Sequence, residues 1–263
     1  MYEFNYDKAN SAADAASKLA ASDDGKVLAG GQTLIPTMKQ RLAAPEDVID
    51  LASAGLSGIA VDGDIVVIGA MTTHATVASS SDVQSVIPAL AELAGNIGDN
   101  QVRTRGTIGG SIANNDPAAD YPAACMGLGA TIITTKRGLS AEEFFTGLFE
   151  TALDEDEIIT AVKFPKVDSA NYQKFPNPAS RYALAGVFVA KTGSEVRVAV
   201  TGAGNDGVFR AHKLEEALAA NFSADVVDIS PMPEDSMIED LHASAAYRKN
   251  LIGVMTKRAV QAC

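Results

Sequence analysis

The chain has 263 residues, 47% hydrophobic and 21% charged, which is enough for a buried core spread over two or three subdomains. A formal net charge of −12 and a sequence pI near 4.6 argue against nucleic acid and against an anionic membrane surface, and no basic run interleaved with aromatics offsets them. No apolar run reaches membrane-spanning length, the opening MYEFNYD lacks the basic and apolar regions of a signal peptide, and Cys125 and Cys263 make neither a disulfide framework nor an iron–sulfur ligand set, so a cytoplasmic protein is expected.

Ser11–Ser22 reads as an Ala-rich amphipathic helix with Ser11 as N-cap and Asp14 three residues on. Lys26–Leu28 is a strand that runs into Gly30-Gly31 and then a helix reaching about Arg41, with Thr33 placed to cap it and Pro36 in its first turn. Pro45 ends that segment and Asp47–Leu51 is a second strand, so residues 1–55 form a βαβ-like unit. Glycines at 30 and 31 remove the Cβ atoms that would hold a ligand off the backbone, and strand, turn and helix start aim free N–H groups at one point, as a phosphate needs. Taken alone, such a pair is more often a plain tight turn.

From residue 56 the pattern changes. Ile59–Gly69 is a hairpin turning at Asp62-Gly63, followed by helices at Thr73–Ala78 and Val86–Ala94. Gly95–Asp120 is rich in glycine and asparagine and reads as a long ordered loop. Ala130–Thr135 is a strand, Ala141–Phe149 a short helix, and Glu157–Phe164 a strand ending at Pro165. Residues 166–180 read as a linker or crossing loop. Tyr182–Lys191 and Glu195–Thr201 pair about Thr192-Gly193, His212–Ala220 is a helix, an acidic segment runs through Leu241, and a last helix covers about Tyr247–Gln261. This C-terminal α+β unit, 176–263, reads as separable from subdomains at 1–55 and 56–175.

His74, His212 and His242 are scattered without metal-ligand spacing, and neither a nucleophile elbow nor a P-loop occurs. His74 is expected to be a satisfied structural histidine. Gly202-Ala203-Gly204-Asn205-Asp206-Gly207 matches the dinucleotide fingerprint literally, but Val208-Phe209-Arg210 follows instead of a helix and the preceding strands pair antiparallel, so it reads as a glycine-rich turn. The first glycine turn mimics the fingerprint too, with Asp50 19 positions after Gly31, yet it lacks the third glycine. A second constellation lies at Arg103–Tyr121, where Thr107, Gly109, Gly110 and Ser111 offer N–H and hydroxyl groups. Asp116-Pro117 there reads as an N-cap and N1 pair, with Asp120 one turn into the helix. Two phosphate-type loops describe a cofactor lying between subdomains, with Asp116 and Asp120 beside it.

These residues resemble a known family. AGGQTLIP at 29–36, GAMTTHA at 69–75, GDNQVRTRGTIGGSIANNDPAADYPAA at 98–124, EFFTGLFETAL at 143–153 and SAAYRKNLIGVMTKRA at 244–259 look like the FAD-binding medium subunit of molybdenum hydroxylases, of the carbon monoxide dehydrogenase type and, more distantly, the xanthine dehydrogenase flavin domain. The resemblance implies an α+β protein with a vanillyl-alcohol-oxidase (PCMH-type) FAD-binding fold: two α/β subdomains gripping FAD, then a C-terminal α+β domain. Carried over by position, Ala29, Gly30, Gly31, Gln32, Thr33 and Leu34 would wrap the pyrophosphate. Thr107, Gly109, Gly110 and Ser111 would form the second wall, and Asp116 and Asp120 would contact the cofactor's polar chain. Ile159, or its neighbour Ile158, would pack on the cofactor, Lys174 would stand near it, and Tyr182 would lie close to the isoalloxazine. Many relatives carry an acid before that aromatic; here it is Arg181.

Neither glycine loop contains His or Cys, so the FAD is expected to be non-covalent. The implied role is electron transfer. Substrate would be oxidised at a molybdopterin centre in a large subunit, electrons would cross the [2Fe–2S] clusters of a small subunit, and the flavin held here would pass them to a quinone, NAD or oxygen. A dimer of heterotrimers is implied. Two other readings stay open from the residues: a stand-alone flavin oxidoreductase, and a non-enzymatic nucleotide-binding assembly module.

Overall fold

The computed structural model describes residues 1–263. Its first sheet is three-stranded and parallel, in the order β1 (Asn5–Lys8), β3 (Asp47–Asp50), β2 (Gly25–Leu28), with α1 (Ala12–Ala20) and α2 (Leu34–Lys39) in the connections. The Ser11 hydroxyl caps α1 by accepting the Asp14 N–H at 3.0 Å, as expected. Sequence reading finds no β1, because its four residues are exposed and polar, and only pairing with β3 makes them a strand. The core here is small, and Ile158 from the next subdomain completes it beside Ile49 and Leu51.

The second sheet has five antiparallel strands in the order β4 (Ile59–Asp62), β5 (Ile65–Gly69), β10 (Ile159–Pro165), β6 (Thr131–Thr134), β7 (Gly138–Ser140). It carries α3 (His74–Ser79), α4 (Ser81–Val86), α5 (Pro88–Gly95), α6 (Asn100–Arg105), α7 (Ile108–Asn114) and α8 (Tyr121–Leu128). The expected long loop at 95–120 is therefore largely α6 and α7. Each is short and capped: Asp99 accepts the Val102 N–H at 2.9 Å, and the Thr107 hydroxyl accepts that of Gly110 at 3.1 Å. The expected helix at Ala141–Phe149 stops at Phe144 (α9, Ala141–Phe144) and continues as a ribbon of β8 (Phe145–Gly147) and β9 (Glu150–Thr151).

The third sheet is β11 (Ser169–Pro176), β12 (Ala183–Thr192), β13 (Glu195–Thr201) and β14 (Phe209–Arg210), all antiparallel, with α10 (His212–Ala220) and α11 (Ala245–Ala262) following. Residues 166–180 are thus mostly an edge strand and not a linker, and the sheet begins ahead of residue 176. The third sheet also packs against the second subdomain. β12 and β13 are apolar on both faces: Val187, Val189, Val198 and Val200 pack toward α10 and α11, while Phe188, Ala190 and Ala199 join the core of α5 and α8. The fingerprint-like Gly202–Gly207 leads into β14 without a helix, and its backbone bonds to the 236–238 segment, so it is a structural turn.

Candidate functional site

β2 ends at Leu28 and the chain enters a bend in which Gly31 takes φ +72°. The amides of Ala29, Gly30, Gly31, Gln32, Thr33 and Leu34 donate to no protein acceptor. Six consecutive unpaired N–H groups around a glycine bend make an anion-binding concavity, independent of the short helix α2 behind it. The expected Thr33 cap does not form, because Thr33 has helical dihedrals and its hydroxyl makes no capping bond. Gly30 also differs from expectation. A Cβ there would meet Arg105 O at 2.2 Å and Gly106 Cα at 2.7 Å, so this glycine admits the second loop's backbone.

The second loop leaves little backbone free. Ile108 N–H donates to Thr72 O at 3.1 Å and Gly109 N–H to Ala70 O at 2.9 Å, while Gly110 and Ser111 N–H groups go to the Thr107 hydroxyl and carbonyl. What it offers a ligand is side chains, above all the unengaged Ser111 hydroxyl, with Asn114 one turn on. Of the N–H and hydroxyl groups expected from this second wall, the N–H groups are engaged within the protein and the side chains of Ser111 and Asn114 are what lines the cleft.

Between the loops lies a cleft of about 560 Å³, within the range of small-molecule sites. Ala29, Gly30, Gly31, Gln32, Thr33, Leu34, Thr107, Gly109, Gly110, Ser111, Asp116, Asp120, Ile159 and Tyr182 all line it, as does Ile158. Lys174 does not; it stands behind Asp120, its Nζ donating to Asp120 Oδ2 at 3.1 Å and to Asn96 O at 2.8 Å. The expected helix at Asp116 is an Asx turn, with Oδ1 accepting the Ala118 N–H at 2.9 Å, and α8 begins only at Tyr121. Asp120 is thus the residue before the helix, buried, and its other oxygen accepts the Tyr172 hydroxyl. Burial pushes the Asp120 carboxyl up, against the pull of Lys174 and Tyr172. This trio ties β11 to the cleft floor.

Tyr182 is half exposed over the cleft. It leaves a turn in which Arg181 adopts φ +64°, held by Arg181 N–H to Asn177 O at 2.8 Å and Asn177 N–H to Tyr182 O at 2.7 Å. Burial, then the charges of Asp116 and Asp120, raise its phenol pKa.

Two wall residues escape the sequence reading. Glu157 is buried; desolvation would raise its carboxyl, yet Arg137, the Asp154 N–H and the Thr134 hydroxyl hold it down to about 2. His74 is buried but not satisfied: its Nδ1 has no partner, its ring lies 5.4 Å from that of Tyr121, and the Tyr121 hydroxyl is equally unpartnered. Burial, then the charge of Arg103, lower the His74 pKa to about 4, so a neutral imidazole faces the cleft. The only sequence signal for it is its place directly after the hairpin.

The donor set suits a dinucleotide: bare amides for a pyrophosphate, hydroxyl and amide side chains opposite, and apolar Ile158 and Ile159 with an aromatic at the rim. Residues 2–167 match the model of the FAD binding domain in molybdopterin dehydrogenase. The chain is 35% identical to the carbon monoxide dehydrogenase medium chain of Hydrogenophaga pseudoflava over 98% of this chain and 96% of that one. It is 34% identical to the nicotine 6-hydroxylase medium subunit of Paenarthrobacter nicotinovorans, over 94% and 92%. Among solved structures, carbon monoxide dehydrogenase from Hydrogenophaga pseudoflava superposes with a TM-score of 0.89 at 35% identity, covering 99% of this chain and 97% of that one. Reconstituted CO dehydrogenase from Oligotropha carboxidovorans gives 0.90 at 33%, covering 99% and 97%. With a cleft of this chemistry and agreement along nearly its whole length, the chain belongs to the FAD-binding domain family of the molybdopterin dehydrogenases.

Proposed function

We propose that this chain is the FAD-carrying, electron-transfer subunit of a molybdenum hydroxylase. It would work in the cytoplasm beside a large molybdopterin subunit and a small [2Fe–2S] subunit, as a dimer of heterotrimers. The observation that carries the reading is the run of six unpaired amides at Ala29–Leu34, faced across the cleft by the Ser111 hydroxyl. The amides would hold the pyrophosphate through N–H donation to its oxygens. Ile158 and Ile159, both buried, would pack against it and exclude water. Asp120, already engaged by Tyr172 and Lys174, is a rigid acceptor for a hydroxyl of the cofactor's chain. Tyr182 would cover the exposed rim. FAD supplies the exchange between one-electron and two-electron transfer when bound; the protein supplies position and environment. The gripping part would comprise residues 1–55 and 56 to the start of β11, with the C-terminal sheet bracing it through Lys174.

Purification tests this directly. The protein should carry close to one FAD per chain, released on denaturation, and should co-purify with molybdenum, iron and two further chains. A colourless protein that cannot be reconstituted with FAD would reject the assignment; a yellow one purifying alone, without metals, would reduce it to a self-contained flavoprotein.

A further inference from the structure

The first turn of α11 grips the strand ends from which the far wall of the cleft is built. Ser244 caps the helix by accepting the Tyr247 N–H at 3.3 Å, which fixes Tyr247 and Arg248 at its start. Arg248 is buried, and its Nη1 donates both to Leu184 O, at the start of β12, at 2.7 Å and to Gly202 O, just past the end of β13, at 2.6 Å. Its Nη2 donates to Asp240 Oδ2 at 2.7 Å, while its Nε has no partner. Tyr247 meets Phe175 of β11 edge-on, with 6.2 Å between ring centroids. The turn that carries Tyr182 is thus held on both sides, at Phe175 before it and at Leu184 after it.

The same strand ends hold the cleft floor. Gly202 N–H donates to Pro117 O at 2.8 Å, and the Thr201 hydroxyl lies 3.0 Å from Pro117 O and 2.7 Å from Ala119 O, so the backbone between Asp116 and Asp120 is pinned to the end of β13. Gly202 takes φ +80°, and a Cβ there would meet Ala183 O at 2.4 Å, so the first glycine of the fingerprint-like turn serves this close approach of the strands. A buried guanidinium with an orphaned N–H is a costly way to fill space, because an apolar side chain would pack there without desolvating a charge. What the guanidinium adds is a rigid plane that fixes two carbonyls and a carboxylate at once. We infer that Arg248 is a positioning residue for the flavin site, acting through Leu184 and Gly202 to set Tyr182 and the Asp116–Asp120 segment against the cofactor. The inference rests on the assignment of the cleft to FAD.

The test compares three variants, in the assembly in which the protein purifies, by FAD affinity, visible circular dichroism of the bound flavin and thermal melting. Arg248→Lys keeps the charge but loses the planar fork, and should weaken FAD binding about tenfold, or about 1.4 kcal/mol, and alter the flavin dichroism. Asp240→Ala leaves both carbonyl bonds in place but frees Nη2, and should move both readouts in the same direction, with affinity down about threefold. Should Arg248→Lys fail to fold, Asp240→Ala carries the test. Leu251→Ala removes core packing on the next turn of α11 and none of these hydrogen bonds, so it should lower the melting temperature while FAD affinity stays within about twofold of wild type and the dichroism is unchanged. Wild-type affinity and dichroism in Asp240→Ala and in any folded Arg248→Lys, or equal flavin losses in Leu251→Ala, would overturn the inference and reduce Arg248 to a contributor to stability. Failure of the FAD reading would show separately, as a wild-type protein without flavin.

Discussion

Ala29–Leu34 and Thr107–Ser111 are both glycine-rich, both run into a short helix and both line one cleft, but they present opposite chemistry to it. The first keeps six amides free and has no side-chain cap. The second spends its amides on its own Thr107 and on carbonyls at 70 and 72, and has Ser111, whose hydroxyl is unengaged, in the cleft wall. The physical reason is where each loop sits. The first is half-exposed at the edge of a small sheet, where nothing else reaches its N–H groups. The second is buried against β5 and β10, where an unpaired amide would be costly. Similar glycine patterns thus leave a row of free amides in one place and make a packing contact in the other.

The strongest way to break this comparison is Gly30→Ala. Its Cβ would drive into Arg105 O and part the loops, so flavin content should fall close to zero and stability by about 3 kcal/mol or more. Gly110→Ala meets only Thr107 Oγ1 at 3.0 Å and the Ala29 methyl at 3.4 Å, and should cost under about 1 kcal/mol. Equal losses in thermal unfolding and flavin content would show that Gly30 is not the contact between loops.

His74 comes next, because it sits where the second loop meets α3. An unfolded imidazole takes its proton near pH 6.5, whereas the folded one resists until about pH 4. The contribution of the neutral ring is therefore complete above pH 6.5 and is lost as pH falls toward 4, up to about 3 kcal/mol. His74→Gln should flatten urea midpoints across that window. Glu157, held at about 2, contributes to the fall only below its ordinary pKa of 4.5, so the two are separable. An unaltered profile in the His74 variant would contradict its buried neutral state.

Smaller effects sharpen the contrast in capping. Thr107→Ala removes a real cap and should lower stability by about 1 kcal/mol, while Thr33→Ala should leave the apoprotein's melting point unchanged. Ser111→Ala should do the reverse of Thr107→Ala: unchanged melting, with FAD affinity reduced by up to about 1 kcal/mol in reconstitution titrations. If Ser111→Ala melts early and binds normally, its hydroxyl is structural.

Much of the architecture is legible where residue type and local pattern agree. Lys26–Leu28, Asp47–Leu51, the 59–69 hairpin and the 182–201 pair combine β-branched residues with turn signals, and each forms the expected strands. β1 and β11 are not legible because polar, mixed sequences become strands only by pairing, β1 with β3 and β11 along almost the whole of β12. α6 and α7 hide for a different reason: α6 has only six residues and the seven of α7 include two glycines, so both have little intrinsic helix stability, and their caps and the surrounding sheet hold them. At the site, position in the cleft follows from motif for all the named residues but Lys174. Which amides remain free does not, since that depends on carbonyls of Ala70 and Thr72 supplied by a distant turn.

The core shared across α8, β12 and β13 carries a consequence for modularity. The family signature covers residues 2–167, so it stops just short of β11. A chain cut there would uncover the face of α8 that meets Phe188 and Ala199, and would leave Asp120 buried without Tyr172 or Lys174. The end of the matched family model and the end of the packed core are therefore different boundaries: residues 2–167 share part of their core with strands that lie beyond them.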